Sequence, residues 1–255
     1  MFNSTFAKQG LDCTYLAFEI SPDHLPAAVE AARSLGFAGF NVTMPHKVAI
    51  LRLLDKVSSE VADIGSANTV VRNAAGFEGY NTDGEGAVRA LRVYGFEPKG
   101  SKVLLIGAGG AARSIVHRLS SEAEEISILN RSEEGARRIA DKTMGLVKTR
   151  AGPLSRKELE TGIQKAGLIV NATPIHITNL LETFRLSIPT HSTSPWIFDL
   201  AYNSEPKQLL PPRRIHPLEL LVQQAALSYE LWFGESAPVE LMRSILVQHN
   251  GADWK

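Results

Sequence analysis

The chain has 255 residues, and its 27 Lys+Arg balance its 27 Asp+Glu, so the zero net charge excludes a strong electrostatic pull toward nucleic acid or acidic membranes. With 44% hydrophobic residues it reads as a globular chain of one or two domains, able to bury a sizeable core. A lone cysteine, Cys13, excludes a disulfide framework or zinc ribbon, and no apolar run nears the about 18–20 residues of a membrane span, so the expectation is a cytoplasmic protein with no metal, nucleic-acid or membrane partner and no signal peptide.

Residues 14–18 read as a strand. Ser21-Pro22-Asp23 then offers a helix cap, and Leu25, Ala28, Val29, Ala32 and Leu35 follow at helical spacing up to Gly36. Residues 37–42 form a second expected strand, and 69–71 with 76–80 form a hairpin around Asn73 and the turn residues. From Ser101 the texture changes. Residues 103–106, 126–129, 168–170 and 196–198 are wholly apolar or nearly so, as in buried parallel strands, with helices at 111–119 and 133–141 between them. A helical pair, 218–233 and 238–248, is interrupted at Gly234. The expected organisation is a first lobe at 1–84, a nucleotide-binding lobe at 85–217, and C-terminal helices at 218–255 returning to the first lobe. The expected fold class is α/β, with a doubly wound lobe beside a smaller lobe built on a mixed sheet.

Gly107-Ala108-Gly109-Gly110-Ala111-Ala112 follows an apolar strand at once and opens a helix. That is the context in which such a run binds a dinucleotide: Gly107 permits the tight turn, Gly109 lets the backbone approach a pyrophosphate, and Ala112 keeps helix and sheet close. The helix N-terminus offers free N–H groups to the phosphates. After the next strand, Asn130-Arg131-Ser132 stands where an NAD-binding fold usually carries an acidic residue, so Arg131 can pair with a 2′-phosphate and the cofactor expected is NADP. A solvated loop arginine is the other reading.

Lys47, at the end of Asn41-Val42-Thr43-Met44-Pro45-His46-Lys47, and Asp83, after Asn81-Thr82, each look placed to open a helix. Reducing a carbonyl by hydride transfer builds negative charge on oxygen, and such a pair could serve the proton it needs. On spacing alone a structural salt bridge is the competing reading, and His46 reads as a surface histidine.

Taken together, Asn41-Val42-Thr43-x-Pro45-x-Lys47, Ala67-Asn68-Thr69-Val70, Gly79-x-Asn81-Thr82-Asp83-x-x-Gly86, the glycine-rich run, Asn130-Arg131-Ser132, Asn171-Ala172-Thr173-Pro174, Asp199-x-x-Tyr202 and Leu221-Val222-x-Gln224-Ala225-Ala226 resemble the shikimate dehydrogenase family, in order and over nearly the whole chain. The resemblance implies NADPH-dependent reduction of 3-dehydroshikimate to shikimate, with Lys47 and Asp83 as the catalytic pair. It implies that Asn68, Gln224 and Thr43 line the substrate pocket, and that Tyr202 lies near substrate and nicotinamide. Asn171, Ala172 and Thr173 would approach the cofactor. The partner implied is a small molecule, and the resemblance leaves room for a homodimer.

Three departures from the family pattern stand out. A strand with a Ser-x-Ser-Pro segment that would clamp the substrate carboxylate falls upstream of Met1, which implies either an earlier start or a chain without this clamp. Gly135 stands where many NADP-using members carry a basic residue. Pro217 and His176 each replace a glycine. The alternatives carried forward are a quinate/shikimate dehydrogenase with relaxed cofactor choice and a catalytically weak nucleotide-binding paralogue.

Overall fold

The computed structural model describes residues 1–189, 194–201 and 213–250. The chain divides into two compact units: Met1–Thr82 with the chain from Leu221 onward, and Asp83–Leu220.

The first unit begins with α1 (Phe2–Gln9), a 3-10 turn at Pro22–His24 and α2 (Leu25–Ser34), then β1 (Gly39–Asn41) and a 3-10 segment at Ala49–Leu53. β2 (Lys56–Val57), α3 (Ser59–Ile64), β3 (Thr69–Asn73) and β4 (Gly76–Tyr80) follow. The sheet order is β1-β3-β4-β2, antiparallel except that β2 runs parallel to β4, which makes it the expected mixed sheet. The expected hairpin forms as β3–β4, with Asn73 Oδ1 accepting the Ala75 N–H across the turn at 2.9 Å. Leu25 and Val29 of α2 pack with Val42, Ile50, Val61, Val70 and Phe77 in one apolar cluster.

The strand expected at 14–18 does not form. Residues 11–20 are irregular, with Leu16 and Phe18 63% and 60% exposed. β-branched and aromatic residues make a strand only where a sheet edge takes their backbone groups. Here the Tyr15 main chain is held instead by a side chain, Asn3, which accepts from its N–H at 2.6 Å and donates to its C=O at 2.9 Å. Cys13 lies on the same segment and is exposed.

The second unit runs α4 (Asp83–Val93), β5 (Lys102–Ile106), α5 (Gly110–Leu119), β6 (Glu125–Asn130), α6 (Glu133–Lys142), β7 (Lys148–Pro153), α7 (Arg156–Lys165), β8 (Leu168–Asn171), α8 (Ile177–Phe184), β9 (Trp196–Asp199) and β10 (Arg214–Ile215). All pairings in its sheet are parallel, in the order β10-β9-β8-β5-β6-β7. The chain moves outward from β5 to β7, then crosses back to β8 and continues the other way. This is the doubly wound fold, with its switch point between β5 and β8. Strand residues alternate between two cores: Val103, Leu105, Ile126 and Ile128 join α4, α5 and α6, while Leu104, Ile106, Leu129 and Ile169 join α7 and α8. β7, an edge strand of sequence Lys-Thr-Arg-Ala-Gly-Pro, carries too little apolar signal to be read from sequence.

The last helices are α9 (Pro217–Phe233) and α10 (Val239–Asn250), with Gly234 at φ 69° breaking the run. In the first unit, Val222, Ala226 and Tyr229 of α9 and Met242 of α10 pack around Phe2 and Phe6 of α1. Among the described residues no helix is long and apolar enough to cross a membrane.

Candidate functional site

β5 delivers the chain into the glycine-rich turn. Gly107 has φ 115°, a conformation open to glycine, and its N–H donates to Leu129 O at 2.8 Å. A Cβ on Gly107 would come 2.9 Å from the Ala172 carbonyl oxygen, so two loops of the switch point meet at this glycine. Ala108 follows, and α5 opens at Gly110 and Ala111 with Gly109 as an N-cap that has no side chain to offer. The first amides of α5 therefore lack a side-chain cap, and a Cβ on Gly109 would meet no heavy atom within 4 Å. An uncapped helix start beside open space suits an anionic group, so the residues present fit a dinucleotide pyrophosphate. Ala112 is fully buried against the sheet.

Past β6, Asn130 turns its amide back to donate to Ser132 O at 2.9 Å, and Arg131 and Ser132 are exposed. A Cβ on Gly135 would lie 2.8 Å from Asn130 Nδ2, which explains the glycine at that position. Arg137 and Arg138 pair along α6 with Glu133 and Glu134, at 2.6 and 2.7 Å. Arg131, by contrast, makes no ion pair among the described residues.

The loop after β8 is built on Asn171, which is fully buried. Its Oδ1 accepts from the Thr173 N–H and hydroxyl at 3.2 and 2.8 Å, and its Nδ2 donates to Ile175 O and to Asp199 Oδ1, both at 2.7 Å. Ala172 N–H donates to Ile106 O at 2.8 Å.

In the first unit, Lys47 does not open an α-helix as expected. It is half-buried in a turn after the cis Met44–Pro45 bond, ahead of the 3-10 segment at Ala49–Leu53. Main-chain bonds stitch this turn to the strand entry: Val42 N–H to Asn68 O at 2.8 Å, and Ala67 N–H to Lys47 O at 2.9 Å. Thr43 is exposed in the same turn. His46, expected at the surface, is buried with Nε2 2.8 Å from Ile20 O, a structural contact.

Asn68 is buried and anchors a cluster of amides and hydroxyls. It bonds Thr82 and Thr69, while Asn41 Nδ2 reaches Asn68 O, Thr69 Oγ1 and Ser228 Oγ at 3.0 to 3.2 Å. Ser228 Oγ donates in turn to Gln224 O at 3.0 Å, one turn earlier on α9, where Gln224 is half-buried. Ser228 escaped the sequence reading, although its spacing of four from Gln224 places both on one helix face. Tyr15, its hydroxyl 3.0 Å from Asn41 Oδ1, has its pKa raised by burial. Asp83 opens α4 in the second unit and is buried. Tyr202 lies outside the described residues.

Three family models match the chain. Residues 1–70 match the family model of the shikimate dehydrogenase substrate binding domain, residues 90–207 that of shikimate / quinate 5-dehydrogenase, and residues 218–246 that of the shikimate 5′-dehydrogenase C-terminal domain. The shikimate dehydrogenase (NADP(+)) of Methanopyrus kandleri is 40% identical over 261 residues, covering 98% of this chain and 90% of that protein. The crystal structure of shikimate 5-dehydrogenase from Listeria monocytogenes, in complex with shikimate and NAD, superposes with a TM-score of 0.81 at 28% identity, covering 96% of this chain and 90% of that one. The Thermus thermophilus enzyme in complex with NADP(H) and shikimate gives 0.77 at 28% identity, covering 97% and 92%.

Proposed function

The chain belongs to the shikimate dehydrogenase family, and from that premise we propose that it is an NADP-dependent oxidoreductase reducing 3-dehydroshikimate to shikimate, a step toward the aromatic amino acids. The observation that carries the reading is the uncapped start of α5 behind Gly107, at the switch point of a doubly wound sheet.

NADPH, when bound, supplies a hydride to the carbonyl carbon. With the Gly107 N–H taken by Leu129 O and this glycine serving the turn, Ala108 and the amides of Gly109, Gly110 and Ala111 at the start of α5 would receive its pyrophosphate, and Arg131, flanked by Asn130 and Ser132, its 2′-phosphate. Asn171, Ala172 and Thr173 form the facing wall. Reduction leaves negative charge on the carbonyl oxygen, and Lys47 is the residue that places a proton there. Asp83 takes the neighbouring hydroxyl and acts with Lys47 as a unit. Asn68, Gln224 and Thr43 read the remaining ring hydroxyls. A pocket that hydrogen-bonds a substrate hydroxyl discriminates strongly against a molecule that lacks it. The exposed thiol of Cys13, the chain's single cysteine, suits a reducing cytoplasm.

The test is steady-state turnover of the purified chain: NADPH oxidation with 3-dehydroshikimate, then the reverse reaction with shikimate or quinate and with NADP or NAD. Shikimate with NADP should give the highest kcat/KM. Equal use of quinate or NAD would favour the relaxed relative, and NADPH binding without turnover would favour a non-catalytic paralogue.

A further inference from the structure

We propose that His176 is a positioning residue for dinucleotide binding, holding Asp199 and, through it, the loop of Asn171–Thr173 against the glycine-rich turn; the inference rests on the dinucleotide reading above. His176 is the N-cap of α8 and is buried. Its Nδ1 accepts the Thr178 N–H at 3.3 Å and lies 2.8 Å from Thr178 Oγ1, while its Nε2 lies 3.2 Å from Asp199 Oδ2. Because Nδ1 accepts a main-chain N–H, the ring proton sits on Nε2 and is donated to the carboxylate.

Asp199, at the end of β9, distributes that constraint. Its Oδ2 also takes the Ile177 N–H at 2.7 Å, and its Oδ1 takes Asn171 Nδ2 at 2.7 Å and the Ala201 N–H at 3.2 Å. Asn171 in turn fixes Thr173 through both N–H and hydroxyl. Between them stands Ala172, whose carbonyl meets the Gly107 turn. The contacts thus run without a gap from His176 to the turn expected to face the phosphates, across the switch point between β5 and β8. A loop already held in its binding form has less freedom to lose when a ligand arrives. A glycine at 176 would supply neither the cap nor the donor to Asp199.

The experiment uses the full chain and measures NADPH affinity by calorimetry, hydrogen exchange of the Thr173 amide without cofactor, and thermal midpoint. The variants are His176→Gly, His176→Asn, which keeps a cap acceptor but is too short for Asp199, and His176→Gln, which can reach Asp199. His176→Gly should weaken NADPH binding about tenfold, the scale of one charge-assisted hydrogen bond. It should also speed Thr173 exchange and leave the 3-dehydroshikimate KM within about twofold, since the substrate pocket is assigned to other residues. His176→Asn should recover the thermal midpoint but not the affinity, and His176→Gln should recover the affinity. Should His176→Gly fail to fold, the Asn and Gln variants decide between cap and positioning on their own. Wild-type affinity in the Gly variant, or recovery of affinity by Asn, overturns the inference while the proposed function stands. A wild-type chain that binds no NADPH overturns both.

Discussion

Asn68 holds Thr82 from two sides: its Oδ1 accepts the Thr82 main-chain N–H at 2.8 Å, and its Nδ2 donates to Thr82 Oγ1 at 2.9 Å. Both residues are buried, and the next residue in the chain is Asp83. Thr82→Val keeps the shape and removes one hydroxyl, so stability should fall by about 1–3 kcal/mol, the cost of a buried polar group losing its partner. Because Thr82 directly precedes Asp83, assigned above to the proposed proton transfer, kcat should fall more than KM rises. Denaturant midpoints at constant m-value, with steady-state kinetics, check both. A variant as stable and as active as wild type would show that the double grip does not matter.

The proposed reaction assigns Lys47 and Asp83 one shared proton-transfer role. Either Lys47→Ala or Asp83→Asn should reduce kcat by roughly 10²–10⁴-fold. The double variant should be little worse than the poorer single, as for residues acting as a unit. Losses that multiply strictly, in variants with unchanged folding, would mean two independent roles.

Arg131 is the exposed arginine of the β6–α6 loop, with Arg137 and Arg138 engaged by their own helix. Arg131→Ala should weaken NADPH by roughly tenfold to a hundredfold, the range for a charge-assisted contact, and change NADH little. Binding measurements with both cofactors decide this. An equal loss for the two would point to adenine stacking instead.

Asp55 ties the β3–β4 turn to α2: its Oδ2 accepts the Phe77 N–H and Arg33 Nη1, both at 2.7 Å. The Phe77 N–H first, and Arg33 second, hold this carboxyl below its ordinary value. A depressed folded pKa adds stability above the unfolded value of about 3.9 and loses it as pH falls through the folded value. Asp55→Asn should therefore be less stable than wild type at neutral pH, with the gap closing in acid. A pH-independent gap in thermal midpoint would remove the electrostatic explanation.

Gly76, beside it, has φ 116°, and a Cβ there would run into the Asp55 carboxylate. Gly76→Ala should cost more than about 1 kcal/mol, combining a left-handed backbone with a clash. Chemical denaturation reads the loss directly. An unchanged midpoint would show that the turn can shift to accommodate a methyl.

Much of the second unit could be read locally. β5, β6, β8 and β9 are buried on both faces, so each appears in the sequence as an apolar run, and Gly107 is required by a backbone angle at its own position. The capped start of α7, where Ser155 Oγ accepts the Glu158 N–H, is a local signal of the same kind. The site was less legible. Lys47 lies in a turn rather than at a helix start, His46 is interior, and nothing near His176 in sequence announces the carboxylate of Asp199.

The sequence by itself determined the α/β class, the hairpin, the dinucleotide-type turn and the family, because periodicity, glycine placement and motif order are properties of neighbouring residues. Only the tertiary structure decided which polar side chains become buried partners and which expected strands find an edge. Asn41 meets Ser228 across 187 positions, and Asn171 meets Asp199 across 28. Residues 14–18 carry strand propensity yet stay irregular. A hydrogen bond or a sheet pairing needs a second group brought close by the rest of the fold, and that is not a property of any local stretch of chain.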